Sequence, residues 1–130
     1  MAYAPGARIL VVDDDRAIRA LAASALRSVG HRVITAEDGV AALAALQRQS
    51  VDLIVCDVAM PGMDGRELGQ ALQGLRDRIP ILYISAAEQL PATLPGAFLR
   101  KPFQYEVLTG VVSELLAKRR PPRGPCARGR

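Results

Sequence analysis

Asp57 stands at the end of an apolar run, LIVC at 53–56, and just ahead of the turn-like segment MPGMDG at 60–65. A carboxylate there is costly unless something pairs with it. Other short runs end in groups that could do so. ILVV at 9–12 leads into Asp13, Asp14 and Asp15, ILYI at 81–84 into Ser85 and Ala86, and FL at 98–99 into Arg100, Lys101 and Pro102. If these runs are parallel strands, their ends share one edge of a sheet, the edge where ligands bind. Converging carboxylates without histidine or thiolate suit a hard cation such as Mg²⁺, which keeps waters and leaves room for a phosphate oxygen. An aspartate beside such an ion can attack phosphorus and become an aspartyl phosphate. Lys101 and the ion would neutralise charge on the phosphoryl oxygens, and Ser85 could donate a hydrogen bond to one of them. Asp57 is then a nucleophile held beside a cation.

The elements that must position these groups follow from the changing period of the sequence. The runs at 9–12, 53–56 and 81–84, with weaker ones at 33–35 and 98–99, suit strands covered on both faces. Between them the period is helical: Ile18, Leu21, Ala22, Ala25, Leu26 and Val29, then Leu68, Ala71, Leu72 and Leu75, then Leu108, Val111, Val112, Leu115 and Leu116. The Ala- and Leu-rich stretch 39–49 also predicts a helix. Asp15, Asp38 and Asp64 are placed to cap helices, and Gly30 to end one. This alternation predicts a parallel sheet with helices on both faces. Between Ser85 and Lys101, Pro91 and Pro95 leave room for one or two helical turns at most.

Length and composition narrow the function further. The chain's 130 residues, half of them hydrophobic, suit one globular unit with a real core. No apolar run approaches the roughly 20 residues of a membrane span, and the N-terminus lacks the pattern of a secretory signal. Cys56 in a strand and Cys126 in a polar tail make no disulfide framework, so a reducing cytoplasm is expected. The net charge of +4 belongs to the tail. Residues 118–130 hold six of the seventeen Lys and Arg, leaving eleven in residues 1–117 against all thirteen Asp and Glu. Nothing in the body therefore argues for nucleic acid, and no direct DNA binding is expected. Residues 1–7 read as an N-terminal extension, 8–119 as one domain, and 120–130, RPPRGPCARGR, as a disordered basic tail.

ILVVDDD, LIVCDVAMPGMDG, ILYISA and FLRKPF together resemble the four signatures of the receiver domain of two-component response regulators. The resemblance runs from about Arg8 to Arg119. It implies a flavodoxin-like (βα)5 sandwich, a CheY-like five-stranded parallel sheet of order 2-1-3-4-5, here with a shortened fourth helix. It also implies a switch that takes a phosphoryl group from a histidine kinase or histidine phosphotransfer protein and signals through a downstream protein or a phosphorelay. Asp57 matches the phosphoacceptor. Asp13 and Asp14 match the acidic pair, the second binding Mg²⁺ directly and the first through water. Ala59 matches the position whose carbonyl completes the metal site, and Lys101 the phosphate-pairing lysine. Ser85 matches the switch hydroxyl, the Ala86 N–H a further phosphoryl contact, and Phe98 the aromatic switch. Lys101–Pro102 matches the family's cis peptide. Ala59 and Ala87 occupy positions that tune the phosphoryl lifetime, and neither can hold an attacking water through its side chain. The short segment after Ser85 resembles receiver modules of hybrid histidine kinases and puts the family's usual dimer face in doubt.

Plainer readings exist for each residue. Asp15 caps a helix, Gly62 and Gly65 serve a turn, Phe98 and Cys56 pack in the core, and His31 is a loop histidine near its ordinary pKa. An Mg²⁺-dependent phosphatase would also use an aspartyl phosphate. Ala17 lies two residues after Asp15, where that class prefers Thr or Val, and no cap domain is present. A degenerate receiver that binds partners without phosphate is a third class, disfavoured by the complete Asp14, Asp57, Lys101 and Ser85 set. No output domain is expected after residue 119, the initial Met and natural-looking tail favour a stand-alone protein over one excised from a hybrid kinase, and the expected role is a phosphorylation-dependent switch, not an enzyme.

Overall fold

The apolar runs form the strands of one parallel sheet in a computed structural model, which describes residues 6–58, 79–85 and 97–119. The strands are β1 (Arg8–Val12), β2 (Arg32–Ala36), β3 (Leu53–Asp57), β4 (Ile81–Ser85) and β5 (Ala97–Arg100), and the described helices are α1 (Arg16–Ser28), α2 (Gly39–Arg48) and α3 (Tyr105–Arg119). The sheet order is β2-β1-β3-β4-β5, all parallel, as the resemblance implied. The expected helix around 68–75, its cap Asp64 and the shortened helix between β4 and β5 lie outside the described residues.

Side chains alternate across the strands, and this divides the core in two. Leu10, Val12, Ile54, Cys56, Ile81 and Tyr83 face Ala42, Ala45 and Leu46 of α2. Ile9, Val11, Leu53, Val55, Leu82 and Ile84 face Ala22 and Leu26 of α1 and Leu108, Val112 and Leu116 of α3. β3 and β4 are buried throughout, so their sequences read as unbroken apolar runs rather than alternating ones. β2, at an edge, carries exposed Arg32 and Thr35. Ala7, just ahead of β1, is buried and accepts a hydrogen bond from Arg32 N–H at 2.9 Å.

Local signals set the helix ends. The Asp15 carboxylate accepts from Ala17 N–H and Ile18 N–H at 2.9 and 3.2 Å, and Asp38 accepts from Ala41 N–H at 2.7 Å. α1 stops at Gly30, whose φ of 98° lies in the left-handed region. There Gly30 N–H donates to Arg27 O at 2.9 Å and His31 N–H to Leu26 O at 3.2 Å, satisfying two carbonyls of the last turn. That turn carries His31 inward. It is only 8 % exposed, not the ordinary loop histidine its position suggested, and burial pulls its pKa below the usual value against the Asp52 charge.

Candidate functional site

Strand parity aims the reactive groups. Asp13 continues the Ile9–Val11 alternation and Asp57 the Leu53–Val55 alternation, both toward the α1 and α3 face, and Lys101 follows Leu99 on that face. Ser85 continues the opposite alternation through Tyr83. Backbone hydrogen bonds extend the ladder past the strand ends and fix the loops. Asp13 N–H donates to Ala36 O at 3.2 Å, Val58 N–H to Ile84 O at 3.0 Å, and Lys101 N–H to Ser85 O at 2.8 Å. The Lys101–Pro102 peptide is cis.

The result is a three-carboxylate cluster with one ammonium. Carboxylate oxygens of Asp13, Asp14 and Asp57 lie within 4.8 Å of one another. Lys101 Nζ sits 3.4 Å from Asp13 Oδ2 and 3.3 Å from Asp57 Oδ2. Both distances exceed the roughly 2.7–2.9 Å of a tight charge-assisted bond, as expected of one cation shared by two anions. Asp13 is fully buried; its Oδ1 accepts from Asp15 N–H at 2.8 Å. Burial raises its pKa, and the Asp57 charge adds to that rise against the Asp15 N–H and Lys101, which lower it. Burial alone would lower the Lys101 pKa, but the Asp57 and Asp13 carboxylates hold it above its ordinary value. Asp14 is exposed and open to solvent.

These residues fit a hard divalent cation. The donors are all oxygen, and one lysine cannot balance three carboxylates. Oxygens around one octahedral Mg²⁺ lie at most about 4.2 Å apart, so a spread of 4.8 Å closes onto the ion with small side-chain movements. Ala59 and Ala86, expected to add a carbonyl and an N–H, lie outside the described residues, as does Ala87. Ser85 is buried at the end of β4, and Ile84 is the register partner of Asp57. Phe98 is half-buried and stacks on Tyr83, its register partner, with ring centroids 5.6 Å apart.

Two contributors escaped the sequence reading. Arg19 Nη1 donates to the Asp13 carbonyl at 2.7 Å and so braces the acidic loop from α1. Its position one turn after the cap Asp15 was the only available signal. Ile18, Lys101, Pro102, Phe103 and Tyr105 also line a recess of about 410 Å³ beside the ammonium, and no strand-end argument anticipates it.

A parallel five-stranded sheet with acids at one edge, an opposed lysine and a strand-end hydroxyl defines a phosphoryl-accepting α/β domain. The sequence matches the family model "Response regulator receiver domain" over residues 9–113, and the chain belongs to that family. Response regulator MprA of Mycobacterium sp. (strain KMS) is 38% identical over 124 residues, covering 91% of this chain and 54% of its own length. MprA of Mycobacterium tuberculosis (strain ATCC 25618 / H37Rv) is 38% identical over 120 residues, covering 88% and 52%. The chain thus spans about half the length of these curated relatives. Among solved structures, chemotaxis protein CheY4 of Vibrio cholerae is similar with a TM-score of 0.78 at 33% identity, covering 84% of this chain and 98% of that one. The receiver domain of hybrid histidine kinase CckA has a TM-score of 0.74 at 36% identity, covering 84% and 98%. The chain is a receiver domain of two-component response regulators, a family whose members act as phosphorylation switches and partner with histidine kinases. Nothing in these comparisons supports the expectation that DNA contact is absent.

Proposed function

We propose that Asp57 is the phosphoacceptor and that the domain works as a stoichiometric switch rather than an enzyme turning over a substrate. The arrangement that carries this reading is the Lys101 ammonium poised 3.3 Å from Asp57 Oδ2 and 3.4 Å from Asp13 Oδ2, with Asp14 in the same cluster. An Asp57 carboxylate oxygen bonds to phosphorus as the bond from phosphorus to the donor's imidazole nitrogen breaks, and the imidazole leaves with that electron pair. Lys101 gives its charge to the phosphoryl oxygens. A divalent ion held by Asp13, Asp14 and Asp57, with the Ala59 carbonyl, supplies further positive charge there when bound. Arg19 and the Asp15 N–H keep the acidic loop in place.

Ser85 and the Ala86 N–H would meet the phosphoryl group from β4. Because Tyr83 and Phe98 are stacked register partners two residues upstream of Ser85 and Arg100, a shift at Ser85 is transmitted to Phe98 through packed rings. Residues 8–119 would form the receiver unit, working in the cytoplasm with a histidine kinase or phosphotransfer protein upstream and a protein target downstream. Incubation with acetyl phosphate and Mg²⁺, read by intact mass, should add one phosphoryl group. Asp57→Asn and chelation should each abolish it. Equal labelling of the Asn variant would show that another residue accepts the group.

A further inference from the structure

The edge of the sheet opposite the acidic site gathers arginines that the switch does not use. Arg8 and Arg32 open β1 and β2 and are Cα register partners, so their backbones are adjacent. Arg32 N–H bonds to Ala7 O at 2.9 Å. The Arg27 guanidinium, from the last turn of α1, reaches the carbonyl of Val33, the residue after Arg32, at 3.1 Å. The Arg8 guanidinium reaches Ser50 O at 3.2 Å, two residues beyond Arg48 at the end of α2. Arg8, Arg27, Arg32 and Arg48 thus all stand at or beside the starting edge of β1 and β2. Arg27, Arg32 and Arg48 are exposed. Among the described residues one carboxylate, Asp52, lies beside them and accepts from Arg8 N–H at 2.8 Å.

Helix dipoles explain part of this. Cations in a last turn are stabilised by the negative end of the helix, which accounts for Arg27 and Arg48. The dipoles do not explain Arg8 and Arg32, which start strands and place like charges side by side at a cost. The guanidinium bonds of Arg8 and Arg27 go to backbone carbonyls, and each leaves most of the five guanidinium donors available. An external anion would relieve the repulsion and engage those planar forks, which match phosphate in two-point contact.

The geometry points to this edge as a binding surface for the phosphodiester backbone of duplex nucleic acid. Of the four large apolar residues exposed among the described ones, Leu21, Val29, Val40 and Val107, only Val29 lies near this edge. Among the described residues this edge therefore carries no membrane-inserting face. α3 ends on the same side, with Lys118 exposed, and the sequence beyond it adds Arg120, Arg123, Arg128 and Arg130 with no large apolar residue. The acidic cluster at the far edge would be repelled by phosphates. A bound duplex thus leaves Asp57 facing away and free to be phosphorylated.

The test is fluorescence anisotropy of a labelled random-sequence duplex of about 20 base pairs, titrated with the full chain over a salt series. With about five phosphate contacts, affinity should fall several-hundred-fold between roughly 50 and 200 mM salt. Arg27→Gln combined with Arg32→Gln should weaken binding about tenfold or more and make the salt slope shallower by about two. Its Asp57 labelling should match the parent, and its melting temperature should fall by no more than about 5 °C from loss of the Arg27 bond and dipole contact. The proposal fails if the parent does not bind at the lowest salt, or if the double variant binds as the parent does. It also fails if only substitution of the four arginines in 120–130 matters, or if anionic phospholipid vesicles bind the chain and the duplex does not.

Discussion

His31 shows how a single turn changes a residue's chemistry. The Gly30 stop folds it under the sheet, where its Nδ1 is buried with no hydrogen-bond partner and burial disfavours the imidazolium. The folded chain then binds a proton less readily than the unfolded chain, whose histidine titrates near its ordinary 6.5. This contribution leaves stability intact above that value. Stability drops as pH falls through it and levels off below the lowered pKa. His31→Gln should shrink the shift in urea midpoint between about pH 7.5 and 5 relative to the parent. Identical shifts in both proteins would assign the effect to other groups. The residues with chemistry at strand ends were legible because parallel topology alone brings Asp13, Asp57, Ser85 and Lys101 to one edge. Arg19 and Tyr83 were not. Arg19 acts on a main-chain carbonyl, and Tyr83 meets Phe98 through a strand register that no local pattern encodes.

At the scale of elements, the helices are set by their caps more than by propensity. α1 begins on a carboxylate and ends on a left-handed glycine, both readable from residue type. Adding a Cβ at a φ of 98° should make Gly30→Ala destabilising. The expected cost is about 1–2 kcal/mol, measured by urea denaturation, with the acetyl phosphate reaction preserved in the folded fraction. A cost near zero would mean the α1 stop tolerates another backbone path. Boundaries were less legible than existence. β2 and β5 gave weak signals because these edge strands bury less than β3 and β4.

At the scale of the whole molecule, the fold sorts part of the charge among the described residues. The sequence assigns the basic excess to the tail, because counting along the chain averages Arg8, Arg27, Arg32 and Arg48 against distant acids. Folding undoes that average by bringing Asp13, Asp14 and Asp57 to one edge of the sheet and these arginines, with Asp52 beside them, to the other. The acidic edge is the unstable half of this arrangement, since Asp13 is fully buried and Lys101 serves two partners. A cation that binds only the folded cluster stabilises it by mass action, about 2.7 kcal/mol at a hundredfold excess over Kd. Mg²⁺ should therefore raise the melting temperature at constant ionic strength, and Asp57→Asn should reduce the gain. A parent protein indifferent to Mg²⁺ would mean that the three carboxylates do not act as one ion site.

The strand order gives the chain a seam. β1 and β3 are neighbours at its centre, yet the end of β1 supplies Asp13 and Asp14, while Asp57 arrives only with β3 and Lys101 only after β5. A nascent chain that has released only β1 through α2 holds half a site and no acceptor. Reactivity thus arrives late in synthesis, once β5 has closed beside β4, and the domain cannot receive a signal before it is whole.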